Sequence, residues 1–307
     1  MKAGGTHVPG TVSQLTDDGC RAVDHDEGMY PEVRMRGRTR RWSWLAILIV
    51  GLGLYFLVLR TLVHTQNPNL IPAMILLGAS VVPASFLTFA AARAGQWQVP
   101  NSVLLVAGFF GGVIGVVAAG TLEYDALRDL GTLPMVVVAV VEESSKLIVP
   151  VVLLLTVLAR HIRRQPSDGL VIGISSGMGF AALETMGYAF TALLESGGNV
   201  GAVEQTLFVR GLTSPAGHTA WTGLTCGALW MLLSAPSVRH ALEFGATFIG
   251  AVALHTAWDT FGSIWAYLVL AVISLGWLTL MLRHYRAFNP ADTLILAEVR
   301  PAAGAGR

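Results

Sequence analysis

The sequence predicts an all-α polytopic membrane protein, and its composition and its apolar segments both lead to this fold class. Of the 307 residues, 53% are hydrophobic and only 13% are charged. Soluble globular domains carry about 25% charged residues, which excludes an ordinary cytosolic domain. Several apolar segments of roughly 20 residues follow one another, each long enough to cross a hydrocarbon core of about 30 Å. The lipid bilayer is therefore the expected surrounding, and the net charge of +1 gives no indication of a nucleic-acid partner.

Hydropathy predicts about eight transmembrane helices between two polar tails. Residues 1–41 are predicted to be a disordered cytoplasmic tail, because they are polar and lack hydrophobic periodicity. Residues 286–307 are predicted to be a cytoplasmic C-terminal tail, which leaves 42–285 as the membrane domain. The eight predicted spans are 44–63, 70–92, 102–120, 133–159, 169–194, 212–234, 241–261 and 264–283.

The distribution of basic residues predicts that both termini lie in the cytoplasm (N-in/C-in), since short cytoplasmic loops are enriched in lysine and arginine. With the N-terminus inside, Arg60, Arg128 and Arg210 lie outside, Lys146 lies within a span, and the other 16 of the 20 basic residues lie inside. The opposite orientation reverses this distribution. Residues 121–133 and 195–211 are then predicted to be extracytoplasmic loops, the second being the longer.

Ionisable residues lie deep inside four of the predicted spans, where charge is costly. An ionised side chain at mid-membrane costs roughly 2.5–3.5 kcal/mol on insertion scales, so such residues persist only where they meet one another, water or an ion. The fourth span contains Glu142, Glu143 and Lys146, the fifth contains Glu184, the sixth contains His218, and the seventh contains His255 and Asp259.

Helical spacing predicts that these groups converge in a central four-helix core. Lys146 follows Glu142 by four residues and Glu143 by three, so both carboxylates can reach the ammonium group. His255 and Asp259 share one helix face for the same reason, and a ridge of small residues directs Glu184 towards a helix interface. Counted at about 1.5 Å per residue, Glu142 lies about 14 Å and Glu184 about 15 Å below the outer surface. We therefore expect a site in the extracytoplasmic half of the membrane.

Four acids facing one lysine in a medium of low dielectric constant need further compensation. Protonation of some carboxylates is one solution, and a divalent cation is the other. Zinc would be held by His218 and His255 with Glu184 or Asp259, leaving a position for water and a glutamate of the pair as general base. In the metal-free alternative a glutamate activates water directly, while His and Asp side chains hold the oxyanion or donate protons. The residues leave both alternatives open.

The order of these residues on successive apolar helices resembles the PrsW family of intramembrane proteases, which is grouped with the CAAX prenyl endopeptidases. The matching segments are Glu-Glu-x-x-Lys at 142–146, Phe-x-x-x-Glu at 180–184, the lone His218, and His-x-x-x-Asp at 255–259. The resemblance covers roughly residues 44–285 and makes 42–285 an expected intramembrane protease domain. It implies endopeptidase activity against transmembrane or membrane-tethered proteins, and in bacteria against transmembrane anti-sigma factors at the plasma membrane.

The resemblance also implies roles for individual residues. Glu142 is expected to activate water, and Glu143 is expected to orient it through Lys146. His255 and Asp259 match a motif that is associated with the oxyanion in the CAAX enzymes, which carry Asn at the second of these positions and His in place of Glu184. These two differences leave room for a metal ion. The expected catalytic residues are Glu142, Glu143, Lys146, Glu184, His255 and Asp259, and the expected ligands of a zinc ion, where one is used, are Glu184, His218, His255 and Asp259.

Two other functions would use the same features. A proton- or cation-coupled transporter would employ the acids as a relay and would show ion-dependent flux without proteolysis. A non-enzymatic scaffold would bind other membrane helices through its glycine ridges and would tolerate Gln at each acidic position. Loss of cleavage on replacement of Glu142 or Glu143 distinguishes an endopeptidase from both.

Overall fold

The predicted all-helical fold is confirmed. The computed structural model describes residues 42–94, 97, 99–159 and 165–287, and within these ranges it contains helices and no strand. The predicted tail 1–41, and residues 288–307 of the second predicted tail, lie outside the described residues. The α-helices are α1 (Ser43–Thr65), α2 (Ile71–Ala91), α3 (Asn101–Leu130), α4 (Met135–Lys146), α5 (Ile148–Ala159), α6 (Pro166–Glu195), α7 (Val200–Thr213), α8 (His218–Ser234), α9 (Val238–Thr260) and α10 (Ile264–Ala287), with 3-10 turns at Pro68–Leu70 and Ser214–Ala216.

Five of the described helical segments are long and apolar enough to cross a membrane, as expected of a multi-pass membrane protein. They are Ser43–Thr65, Pro68–Ala91, Asn101–Leu130, Pro166–Glu195 and Ile264–Tyr285. The helices that come from the other predicted spans are either short, as are α4, α5 and α8, or interrupted by polar side chains, as is α9. The count of eight spans and the orientation stay predictions.

Helix α6 is the most enclosed of the five. Of its most apolar 18 residues, 67% are buried, against 6% for α1. Glycines allow the close approach of its neighbours: a Cβ atom at Gly177 would collide with the carbonyl oxygen of His218 on α8, and one at Gly179 would collide with the backbone of Gly108 on α3. Small residues at such crossings are typical of packed membrane helices. This contact fixes the beginning of α8 against the part of α6 that carries Glu184.

The predicted fourth span, 133–159, is not one continuous helix. It consists of α4 and α5, and the helix is interrupted at Leu147. Pro150 explains the break, since proline lacks the amide that would bond to the carbonyl oxygen of residue 146. The hydroxyl group of Ser176 on α6 donates to the Lys146 carbonyl oxygen at 3.0 Å instead. A neighbouring helix thus satisfies the freed carbonyl, which is a common solution inside membranes. The break ends α4 at Lys146 and holds this end against α6.

Most of the predicted extracytoplasmic loop 195–211 is helical, since Val200–Thr213 forms helix α7. Gly197 and Gly198 have positive φ angles and end α6. The Asn199 side chain then accepts a hydrogen bond of 2.9 Å from the Gly201 amide and caps the new helix. One face of α7 packs against α2 and α6, and its buried residues are Val203, Leu207 and Gly211.

The predicted loop 121–133 is also largely helical. Helix α3 continues to Leu130 and ends at Gly131, whose φ of 72° lies in the left-handed region that favours glycine. On the last turns of α3, Arg128 pairs with Asp125 at 3.5 Å and with Asp129 at 3.3 Å, and all three side chains are exposed. This end of α3 therefore offers an ion pair that is separate from the buried charges described below.

Candidate active site

The last turn of α4 brings two carboxylates to one ammonium group. Lys146 Nζ donates to Glu143 Oε1 at 2.8 Å and to Glu142 Oε2 at 3.1 Å, as the spacing along the helix predicts. The side chains of Lys146 and Glu143 are 0% and 1% exposed, whereas that of Glu142 is 10% exposed. Of the two adjacent glutamates, Glu142 is therefore the one that an incoming molecule can reach.

His218, the first residue of α8, connects the α4 group to α6. Its Nδ1 atom lies 2.7 Å from Lys146 Nζ, and its Nε2 atom lies 2.8 Å from Glu184 Oε2. Nδ1 is also 3.9 Å from the nearest carboxylate oxygens of Glu142 and Glu143. The two nitrogens of one imidazole ring thus contact groups on two different helices.

His255 on α9 encloses the same group from another side. Its Nδ1 atom lies 3.0 Å from Glu143 Oε1, and its Nε2 atom lies 3.1 Å from Asp259 Oδ2. Nε2 is also 3.6 Å from Glu142 Oε2. Since both ring nitrogens face carboxylate oxygens, an imidazolium ring would donate to each of them. The His255 side chain is 2% exposed and that of Asp259 is 31% exposed, so this pair runs from the interior to the rim of the site.

Arg210 is a residue of this group that the sequence analysis misses. Helix α7 brings its Nη2 atom to 2.8 Å from Glu184 Oε2, and its guanidinium carbon lies 3.9 Å from the centre of the Tyr188 ring. From hydropathy, Arg210 is predicted to lie in a loop. The signal that locates it is the capping residue Asn199 followed by small or apolar residues at helical intervals, namely Val203, Leu207 and Gly211.

Aromatic rings support both imidazoles. Trp221 on α8 stacks on His255 with ring centres 5.1 Å apart and meets His218 edge-on at 5.4 Å. The Trp221 indole N–H donates to Ser274 Oγ on α10 at 2.9 Å, which fixes the ring. Phe180 on α6 lies with its ring centre 4.3 Å from Lys146 Nζ, in range for a cation–π interaction. These rings form the apolar side of the site.

The structure brings the seven predicted residues together in one group built from α4, α6, α8 and α9. The group also offers ligands for a divalent metal: one ligand atom each from Glu142, His218 and His255 lie within 4.8 Å of one another. Two imidazoles and a carboxylate are a donor set that zinc uses in hydrolases. The Lys146 ammonium group lies 3.1 Å from Glu142 Oε2 and 2.7 Å from His218 Nδ1, so a cation bound by these two atoms would have to displace it.

This trio differs from the expected four ligands in containing Glu142. Glu184 and Asp259 instead contact ring nitrogens of His218 and His255. Carboxylates in such positions orient imidazole ligands from outside the metal shell. The residues present therefore fit a metal ion, with Glu142 as a ligand and with Glu184 and Asp259 as residues that orient the two imidazoles.

A buried group of carboxylates, imidazoles and an ammonium lies in a bundle that contains five helices able to cross a membrane. This combination is expected of a membrane protein with hydrolytic chemistry in its helical core. The chain belongs to the PrsW family of intramembrane metalloproteases, whose family model matches residues 73–283. The matched range includes every predicted site residue and Arg210. The protein is therefore a membrane-embedded protease. Comparisons with curated proteins and with solved structures gave no match.

Proposed function

We propose that the protein is an endopeptidase in which Glu142 activates the water that cleaves a peptide bond of a membrane-associated substrate. The observation that carries this proposal is the difference between the two adjacent glutamates. Glu142 is 10% exposed, whereas Glu143 is 1% exposed and enclosed by Lys146 and His255. A general base must reach the water from which it takes a proton, and Glu142 meets this requirement. Glu143 is then a positioning residue.

The reaction follows from the contacts of these residues. The Glu142 carboxylate takes a proton from water, and the hydroxide oxygen bonds to the carbonyl carbon of the peptide. The Nε2–H group of His255 lies 3.1 Å from Asp259 Oδ2 and 3.6 Å from Glu142 Oε2. We assign it as the donor that Asp259 comes to share with the developing oxyanion. The C–N bond then breaks, and Glu142 passes its proton to the leaving amine. Asp259 orients the His255 ring, and Lys146 holds the Glu142 carboxylate.

Glu142, His218 and His255 are the residues that would hold a divalent cation, and zinc is the ion that we propose. With such an ion bound, Glu142 and His255 would be metal ligands in place of the base and the oxyanion donor of the metal-free reaction. When bound, such an ion polarises the peptide carbonyl group and lowers the pKa of bound water. The description of the family as metalloproteases supports this assignment. Metal analysis of the purified protein tests it: one zinc per chain, lost in His255→Ala, is expected. Full activity of metal-free protein would instead assign the reaction to Glu142 alone.

We further propose the setting in which this chemistry takes place. The protease domain comprises residues 42–285 and crosses a bacterial plasma membrane eight times with both termini inside. Its site then lies in the extracytoplasmic half, and its substrates are transmembrane or membrane-tethered proteins, including transmembrane anti-sigma factors. The five long apolar helices and the basic residues at 34–41 support this arrangement. Accessibility of single cysteines introduced into the loops to an impermeant thiol reagent tests the orientation.

The catalytic proposal is tested by cleavage of a single-span anti-sigma factor, carrying a reporter domain, in proteoliposomes. Glu142→Gln is expected to lower kcat by about 10²–10⁴-fold, because it removes the general base while keeping the side-chain volume. Glu243→Gln is the matched control, since Glu243 pairs with Arg239 on the exposed surface of α9. It is expected to cleave at the wild-type rate.

Wild-type cleavage by folded Glu142→Gln would overturn the assignment of Glu142. Ion-dependent substrate flux through the same liposomes, with no cleavage by the wild type at any substrate concentration, would instead favour the transporter.

A further inference from the structure

Arg210 occupies the end of a continuous chain of polar contacts that reaches the candidate base. It pairs with Glu184 at 2.8 Å, Glu184 contacts His218 at 2.8 Å, and His218 contacts Lys146 at 2.7 Å. Lys146 in turn donates to Glu142. Arg210 lies outside the four segments that resemble the family motifs. Its position in this series of polar contacts is therefore seen only in the structure.

The contacts of His218 determine which of its nitrogens carries the proton. A lysine ammonium group has donors and no acceptor, so Lys146 Nζ donates and His218 Nδ1 accepts. A neutral ring then carries its proton on Nε2, the nitrogen that lies 2.8 Å from Glu184 Oε2. This tautomer leaves the Nδ1 lone pair free to accept from Lys146 Nζ at 2.7 Å, and this ammonium group also holds Glu142 and Glu143.

Glu184 needs a second partner to hold this tautomer. Its side chain is 18% exposed, so a carboxylate with one imidazole partner is free to turn towards the rim. The Arg210 guanidinium group prevents this rotation from the other side, and its planar donors suit a carboxylate better than a single point charge does.

The position of Arg210 is itself set by packing. Val203 and Leu207 of α7 are buried against α2 and α6. Gly211, the next residue after Arg210, lies so close to α2 that a Cβ atom there would be 3.0 Å from the Gly78 carbonyl oxygen. The Tyr188 ring supports the guanidinium group at 3.9 Å. Helix α7 therefore holds the arginine against Glu184 with little freedom.

We propose that Arg210 is a positioning residue for the protease reaction: through Glu184 it fixes the orientation and the Nε2–H tautomer of His218. The expected effect of Arg210 on kcat rests on the proposed function. The structural part of the proposal concerns the His218 ring alone and is independent of any cleavage.

The test uses the full-length protein in detergent micelles with ¹⁵N-labelled histidine and a metal chelator, because ring ¹⁵N shifts distinguish the two tautomers when no metal is bound to the ring. A His218→Gln variant assigns the signals of His218. Arg210→Gln is expected to convert the single Nε2–H signal into a mixture of tautomers, and Arg210→Lys is expected to retain most of the wild-type signal. Arg128→Gln removes an arginine from the exposed ion pair on α3 and is the matched control, which should leave the spectrum unchanged.

Kinetics on the anti-sigma reporter give the second readout. Arg210→Gln is expected to lower kcat by about 10–100-fold with KM unchanged, the range typical of residues that orient a reactive imidazole from outside. Arg210→Lys should recover most of this loss.

The outcomes separate the two proposals. A wild-type His218 spectrum in folded Arg210→Gln overturns the positioning role, as does wild-type kcat per folded molecule. A spectrum altered as expected in a protein that cleaves no peptide, even as wild type, supports the positioning role and rejects the proposed function.

Discussion

Helices α1 and α6 are both long apolar helices, yet they differ in almost every property that matters for function. Only 6% of the most apolar part of α1 is buried, and its large side chains, such as Phe56 at 60% exposure, face outward. In α6 the buried share is 67%, and its glycines admit the backbones of α3 and α8. The comparison teaches that hydropathy identifies the helices that face lipid, whereas small residues and charges identify the helices that build the site.

The comparison of α1 with α6 predicts that substitutions of the buried charged residues lower the stability most. Lys146→Met leaves Glu142 and Glu143 buried without their ammonium partner, and it is expected to lower the free energy of unfolding by about 3–5 kcal/mol. Unfolding in mixed detergent micelles, followed by the loss of helical circular dichroism, measures this change.

A triple variant, Lys146→Met with Glu142→Gln and Glu143→Gln, serves as its control. It is expected to recover most of the lost stability, because no unpaired charge remains. A triple variant as unstable as Lys146→Met would show that packing, and not charge, explains the loss.

The contact between α6 and α3 is where substitutions are expected to have the next largest effect on stability. Gly179→Val would drive a side chain into the backbone of Gly108 and is expected to cost about 1–3 kcal/mol. Gly187→Val on the same helix is the matched control, because a Cβ atom at Gly187 meets no atom within 4 Å. The same micelle titration compares the two variants, and equal stabilities would contradict the close crossing.

The break between α4 and α5 predicts a smaller effect. Ser176→Ala removes the hydrogen bond to the Lys146 carbonyl oxygen and is expected to cost about 1 kcal/mol. In a Pro150→Ala background the same change should cost less, because the amide restored at position 150 can bond to that carbonyl. A double-mutant cycle measures this coupling, and strictly additive effects would argue against Pro150 as the cause of the break.

Substitutions on the exposed helix α1 should hardly change the stability. Phe56→Ala on α1 is expected to change the free energy of unfolding by less than about 0.5 kcal/mol. Phe180→Ala, the same substitution at a residue that is 2% exposed on α6, should cost several times more, since it opens a cavity beside Lys146. Similar losses for the two variants would remove the distinction between the two helices.

Charge inside apolar sequence is what makes much of the site predictable. Glu142, Glu143 and Lys146 lie on one helix at spacings of three and four, and their contact follows from helical geometry alone. Glu184, His218 and His255 come from separate helices, and their convergence follows from the cost of leaving each one in lipid. Sequence reasoning therefore identifies the members of the group, because each member has the same physical reason to meet the others.

Three features of the structure are not predictable from the sequence in this way, and each has its own physical reason. Arg210 lies near the end of a predicted span, where a charged side chain can be solvated without an ionic partner. Its contact with Glu184 therefore depends on how α7 packs. The break at Leu147 is marked by Pro150, but hydropathy averages over a proline in an apolar segment. The choice of Glu142 over Glu184 and Asp259 among the metal-binding candidates depends on distances of a few ångströms, which spacing along a helix does not determine.

Two short helices turn their ends towards the site, and this arrangement contributes to its electrostatics. Helix α4 ends at Lys146, so the partial negative charge of its macrodipole lies beside the ammonium group. Helix α8 begins at His218, so the partial positive charge of its macrodipole faces the carboxylates of Glu142 and Glu184. A single unbroken helix over 133–159 would place no such pole here. Peptide dipoles, and not side chains alone, therefore contribute to the electrostatics of this interior site.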